Sequence, residues 1–250
     1  MNGTGSTRLP AREQPAEYSH GMYVEPLSEE CRRIWHRRDH ALIGVSAGNS
    51  YFSQDRLAGL LTWAGRTFAA VDVVYVDTHI DSMLIADGHT PAAAAKSARN
   101  TVKDVRRRIR RAVESAAADG ERLRVRALSE LVDDPRYRSV RARTDRALRE
   151  VPEFAAVVDE MVRQVVRHRL GPQRLATDAH IQAGLDYVRA EAPLFTDAPA
   201  IFGVRSSMTC YHLNTPLQQY LVRPDAAFRP APGHAHMVVR APEPARTAAS

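Results

Sequence analysis

Two short apolar runs on either side of a helical segment constrain this fold more than any other feature. ALIGVS, residues 41–46, is a continuous hydrophobic run closing on glycine and serine. VDVVYVD, residues 71–77, is richer in β-branched residues. Between them RLAGLLTWAGRTFA, residues 56–69, places apolar residues at helical spacing. Strands covered by helices on both faces read as unbroken apolar sequence, and a helix is the usual crossover between parallel strands. The segment therefore reads as a strand–helix–strand unit near the start of the folded region.

The remainder extends that alternation. A long helical region is expected from about Pro91 to Ala118, and RLRVRALS (122–129) is a third strand candidate. Helices are expected over 136–149, 153–168 and 178–192, the last ending soon after Pro193. AIFGV and SMTCYHL, within 200–213, read as strand or strand-end segments. TPLQQYLV reads as a short helix and HMVVRA (236–241) as a last strand. The fold class is α/β, a Rossmann-like open parallel sheet flanked by helices. One domain is expected over residues 26–240. Polar tails are expected over 1–25, where Met22, Tyr23 and Val24 can dock locally, and over 241–250.

Composition narrows the function classes. Lys and Arg number 35 against 29 for Asp and Glu, a formal charge of +6, which permits an anionic partner without requiring one. Cys31 and Cys210 form no CxxC pair and no cysteine–histidine cluster, which argues against a disulfide scaffold or a structural zinc site. The start of the chain lacks the apolar core of a signal peptide, and no apolar run has transmembrane length. A cytoplasmic monomer, away from membranes, is expected.

Within GVSAGNSYFS (44–53), Gly44, Ser46 and Gly48 match G-x-S-x-G, a pattern that often marks a nucleophilic serine. A hydrolase context is incomplete. No HGGG-type oxyanion segment precedes it, Ser46 sits on the first core strand, and His212, His234 and His236 pair with no acid by spacing. A tight loop of small residues is one reading. A serine that attacks an already activated ester is another, because a good leaving group lowers the demand on the base. Asn49 can donate an amide hydrogen bond to a substrate carbonyl, or it or Ser50 can cap the following helix.

TVKDVRRRIRRAVES, residues 101–115, concentrates positive charge. Val102, Val105, Ile109 and Val113 recur at three- and four-residue intervals and can face the core, leaving Lys103, Arg107, Arg110 and Arg111 toward solvent. Such a face suits a phosphate backbone with little base selection; a merely solvated face is the alternative, and the absence of Trp, Phe or Leu argues against membrane insertion. Tyr187 and Glu191 lie four apart and share a helix face, where a carboxylate and a phenol together can grip an ammonium group. In SSMTCYHLNTP (206–216), either Tyr211 or His212 can face a cleft. Asp77, His79 and Asp81 permit a divalent ion, but no third segment demands one, and a structural loop is preferred.

The order of these segments resembles the cyclodipeptide synthases: GVSAGNSYFS, DVVYVDTHIDSMLIADG (72–88), the arginine-rich helix, AGLDYVRAEAPLF (183–195) and SSMTCYHLNTP. The resemblance spans about residues 20–240 and is to the subgroup with Asn in the serine loop and a Tyr-His pair later. It implies a domain like the catalytic domain of class I aminoacyl-tRNA synthetases, and a ping-pong reaction that joins the amino acids of two aminoacyl-tRNAs into a 2,5-diketopiperazine. It implies no ATP and no cofactor, and the chain lacks G-x-x-x-x-G-K-[ST]. The implied roles are Ser46 as nucleophile, Asn49 as loop positioner, Tyr187 and Glu191 as holders of the first amino group, and Tyr211 as proton relay. Lys103, Arg107, Arg108, Arg110 and Arg111 fall on the implied tRNA-binding helix. The implied first aminoacyl pocket corresponds to Leu42, Gly44, Leu128, Met161, Leu194 and Thr209, favouring a hydrophobic side chain. Thr209 departs from the more apolar pattern, and Asn214 replaces an acidic residue; both bear on specificity.

Overall fold

A computed structural model describes residues 17–116 and 122–241. The tail expectations for 1–16 and 242–250, and the end of the helix expected to reach Ala118, lie outside the described residues. Five parallel strands form the core: β3 (His40–Val45), β4 (Ala70–Tyr75), β5 (Leu123–Ala127), β6 (Ser207–Tyr211) and β7 (His234–Arg240). Two further strands, β1 (Glu17–Ser19) and β2 (Met22–Pro26), pair antiparallel at one side, and the sheet order is β1-β2-β7-β6-β3-β4-β5. The chain builds outward from β3 through β4 to β5, then returns to β3's other side with β6. The gap between β3 and β6 is thus the switch point, where open α/β sheets form ligand crevices at the carboxyl ends of their strands.

Strand alternation sorts the core into two layers. Ala41, Ile43 and Val45 of β3, with Val71, Val73 and Tyr75 of β4, face one side. There they pack against α2 (Gln54–Thr67), α4 (Pro91–Ser115) and α1 (Glu29–Arg37), through Leu57, Leu61, Val105, Ile109, Ala112 and Trp35. Leu42, Val74 and Val76 face the other side, against α5 (Leu128–Val132), α6 (Pro135–Glu150), α8 (Asp178–Thr196) and α9 (Ala198–Phe202). A further apolar cluster binds α7 (Pro152–Leu170) to α8 and α10 (Pro216–Leu221). Gly184 permits the α7–α8 contact, because a Cβ there would lie 2.9 Å from Val166 Cγ2. The short α3 (Ile80–Ala86) follows β4 and was not foreseen.

Three expectations need correction. Residues 17–25, expected as tail, form the β1–β2 hairpin: β2 pairs with β7, and Glu17 of β1 accepts hydrogen bonds from Arg32 and Trp35 of α1. AIFGV is helix α9 running into a turn rather than strand, because Asp197 caps it through a hydrogen bond from Ala200 N (3.1 Å), Pro199 suits its first turn, and Gly203 ends it at φ +67°. Helix α8, expected over 178–192, runs on to Thr196, three residues after Pro193, with Leu194 and Thr196 buried.

Candidate active site

Ser46 is the first residue after β3, and Tyr211 is the last of β6, the adjacent strand across the switch point. Their hydroxyls stand 3.5 Å apart. The loop is a succession of tight turns: Asn49 N donates to Ser46 O (3.3 Å), and Phe52 N donates to Asn49 O (3.3 Å). Gly48 adopts φ +80°, a conformation that costs an L side chain about 1–2 kcal/mol. Asn49 does not cap α2. Its Oδ1 accepts from Tyr51 N (2.9 Å), and Ser53 is the cap. The serine is therefore fixed by its own loop and by the strand end beneath it.

From α8, Tyr187 and Glu191 reach the same point, one turn apart, with Tyr187 OH donating to Glu191 Oε1 (3.3 Å). Burial pushes the Glu191 carboxyl up to about 7 against the opposing hydrogen bond from Tyr187. Both side chains keep some exposed surface, so they line a depression rather than a sealed core. Burial, the nearby Glu191 and Tyr211 hold Tyr187 well above the ordinary phenol range, while a hydrogen bond with Ser46 opposes this. Tyr211 is likewise raised by burial, with hydrogen bonds from Ser46 and Asn49 opposing. The four side chains and Asn49 form one connected cluster in which the carboxyl alone titrates near neutrality.

The pocket candidates divide. Leu42, Leu128 and Leu194 belong to one apolar cluster that Tyr187 packs against. Thr209 sits opposite Leu42 in the β3–β6 register, and its hydroxyl donates to Leu194 O (3.4 Å). Gly44 lies two residues beyond Leu42 on the same strand face, and a Cβ placed on it would meet nothing within 4 Å. Open space therefore begins beside Ser46. Met161 lies in the α7–α8 cluster, which also touches Tyr187. Asn214 is exposed, beyond β6.

The basic residues also divide. Lys103, Arg107, Arg110 and Arg111 are exposed on α4, with Arg107 and Arg110 in surface pairs to Asp104 and Glu114. Such pairs are weak and exchange readily. Arg108 points inward, and its guanidinium donates to Phe52 O (2.6 Å), bracing the serine loop. A cavity of ≈ 970 Å³ lies between α4 and the β4–α3 loop, lined by residues that do not include Ser46. Asp77, from the DTHID segment, accepts from Ser129 N (2.9 Å) and Ser129 Oγ (2.6 Å). That is the bonding of a structural loop.

Among the described residues no histidine hydrogen-bonds to Ser46, whose hydroxyl meets Tyr211. His212 stacks on Tyr51 with centroids 3.8 Å apart, and burial lowers it to about 4, so it is neutral at physiological pH. A Ser–His–Asp relay exists elsewhere: Ser207 Oγ is 2.8 Å from His40 Nδ1, and His40 Nε2 is 3.0 Å from Asp72 Oδ2. All three are sealed from solvent beneath the sheet, toward the amino ends of β3 and β6. Sequence reasoning missed this relay because its members lie far apart in the chain.

Fold and site together define a Rossmann-type protein whose switch point carries a serine held among two tyrosines and a near-neutral glutamate. A family model described as cyclodipeptide synthase matches residues 22–241. The cyclo(L-leucyl-L-phenylalanyl) synthase of Streptomyces noursei is 54% identical over 90% of this chain and 94% of its own. The cyclo(L-tyrosyl-L-tyrosyl) synthase of Mycobacterium tuberculosis is 37% identical over 93% of this chain and 80% of its own. A solved M. tuberculosis structure, described as showing that such enzymes are related to type I tRNA synthetases, superposes with a TM-score of 0.84 at 35% identity, covering 94% of this chain and 100% of that one. The chain belongs to the cyclodipeptide synthase family.

Proposed function

We propose that this protein makes a cyclic dipeptide from two aminoacyl-tRNAs by a ping-pong route through Ser46, as a member of the subgroup carrying Asn49, Tyr211 and His212. The observation that carries this reading is the joining of Ser46, Tyr211, Tyr187 and Glu191 at the switch point. Ser46 Oγ attacks the ester carbonyl of the first aminoacyl-tRNA. The ester C–O bond breaks, and the departing tRNA hydroxyl takes up the proton. Glu191 and Tyr187 hold the ammonium of the retained aminoacyl group. Once Glu191 accepts a proton from it, the free amine attacks the carbonyl of the second aminoacyl ester. That ester's C–O bond breaks, the second tRNA leaves as its hydroxyl with a proton from the attacking amine, and a dipeptidyl ester remains on Ser46. Tyr211, in contact with Ser46, relays protons as the new terminal amine attacks the Ser46 ester. That step closes the six-membered ring and restores the hydroxyl. Holding both acyl groups on one serine turns the ring closure into an intramolecular, proximity-driven reaction. The open space at Gly44, between Leu42 and Ser46, accepts the first side chain, and its apolar surround favours a hydrophobic one.

The experiment is incubation with a complete mixture of charged tRNAs, followed by mass spectrometry. A diketopiperazine is expected, and Ser46→Ala should abolish both the product and an aminoacyl adduct on the protein while leaving tRNA affinity within about twofold. Full synthesis by Ser46→Ala, or no cyclic dipeptide from any charged tRNA, would overturn the reading.

A further inference from the structure

A second basic helix lies on the opposite face of the sheet from α4. PRYRSVRARTDRALRE, the sequence of α6, holds six arginines. Two are engaged: Arg141 pairs with Asp145, and Arg143 with Asp197. Arg138, Arg146 and Arg149 are exposed and have no ion pair or side-chain hydrogen bond to another described residue. Arg138 and Arg149 are three helical turns apart, with Arg146 beside them, opposite the buried Tyr137, Val140, Thr144 and Ala147. The stripe runs about 16 Å at 1.5 Å per residue, long enough to meet more than one phosphate.

Its position relative to the site follows from contacts on the inner side of α6. Tyr137, next to Arg138, donates its hydroxyl to Ala190 O (2.6 Å), and Ala190 precedes Glu191 in α8. The arginine stripe is therefore about one helix diameter, 10–12 Å, outward of the helix that carries Glu191. Helix α4 packs on the Ile43 side of β3 and α6 on the Leu42 side. Ser46 sits at the strand end, between two basic faces.

We infer that the α6 stripe of Arg138, Arg146 and Arg149 docks the phosphate backbone of the aminoacyl-tRNA that enters second, while α4 serves the first. This rests on the two-substrate reading above. In that reading the second ester must approach a serine already loaded with an aminoacyl group held from α8, and α6 flanks α8. Guanidinium groups without protein partners are free to take phosphate oxygens bidentately, and binding through them falls with salt as counterions are released.

The two half-reactions separate this from a general role. Acyl-enzyme is formed with one labelled aminoacyl-tRNA, isolated, and mixed with a second. In the triple variant Arg138→Gln, Arg146→Gln, Arg149→Gln, formation of the acyl-enzyme should stay within twofold of the unsubstituted protein. The KM for the second aminoacyl-tRNA should rise about tenfold, with a shallower salt dependence. Substitution of Lys103 and Arg111 on α4 by Gln should show the opposite split. An unchanged second half-reaction, or equal losses in both, would overturn the assignment. Failure of the unsubstituted protein to form any acyl-enzyme would instead sink the parent reading. In that case tRNA affinity unchanged by the α6 triple variant would remove the stripe as an RNA surface as well.

Discussion

At the scale of the residue, Glu191 decides how this site responds to pH. Its carboxyl is raised from 4.5 to about 7 because the charged form is poorly solvated where it sits. A raised carboxyl favours the folded state only while protonated. That contribution is complete below pH 4.5 and is lost as pH rises through about 7, on the order of 3 kcal/mol at the upper bound. The proposed chemistry runs the other way, because in that mechanism only the carboxylate can hold and then deprotonate the ammonium group. Acylation of Ser46 in single turnover should therefore rise with pH through about 7 as stability in urea falls. Glu191→Gln should flatten both profiles; an acid limb that survives in the variant would assign the titration to another group. The Tyr187/Glu191 spacing was legible because a helix fixes what four residues mean. The acidity was not, since it depends on what α6 and β6 place around α8.

At the scale of the element, α8, which carries Tyr187 and Glu191, is tied to the half of the chain that carries Ser46 by Asp87, at the end of α3. Its carboxylate meets Arg169 at the end of α7 (3.2 Å), Arg174 in the α7–α8 loop (3.0 Å) and His180 in the first turn of α8 (3.4 Å). His180 also completes the capping box of α8 with Thr177. Tyr187 lies two turns after His180 and Glu191 one turn further, so all three share the face directed at the sheet's first half. Asp87→Asn keeps the shape but removes the charge from three donors. It should lower the acylation rate of Ser46 several-fold at saturating aminoacyl-tRNA, with tRNA affinity unchanged, and Asp87→Glu should restore much of it. Wild-type rates in Asp87→Asn would show that α8 is positioned by its apolar contacts alone. The elements that were legible, β3, β4 and α4, are long apolar or strongly periodic. The β1–β2 hairpin was not, because its strands are short and mixed in polarity and are stabilised by β7, more than 200 residues away in sequence.

At the scale of the whole molecule, the two ends of the parallel strands carry different groups of polar side chains. Carboxyl ends present Ser46 and Tyr211; toward the amino ends of the same strands lie His40 and Ser207, joined to Asp72. Asp72 is fully buried and also receives Arg124 (2.6 Å) and Arg126 (3.4 Å) from β5. This network links β6, β3, β4 and β5 across the sheet at one level. It resembles a hydrolytic triad in composition, but Ser207, His40 and Asp72 are all buried. A buried polar group whose partner is removed bears its desolvation cost, about 1–3 kcal/mol. Removing the His40 ring leaves Ser207 without its acceptor and Asp72 with one bond fewer. His40→Ala should therefore lower stability in denaturant by about 1–3 kcal/mol while leaving acyl-Ser46 formation per folded molecule within twofold. The same substitution abolishing acylation in a folded protein would mean that the two ends are coupled through the strands. An active site that keeps its rate while the far end of the sheet is weakened is what a rigid strand pair with chemistry confined to its carboxyl edge requires.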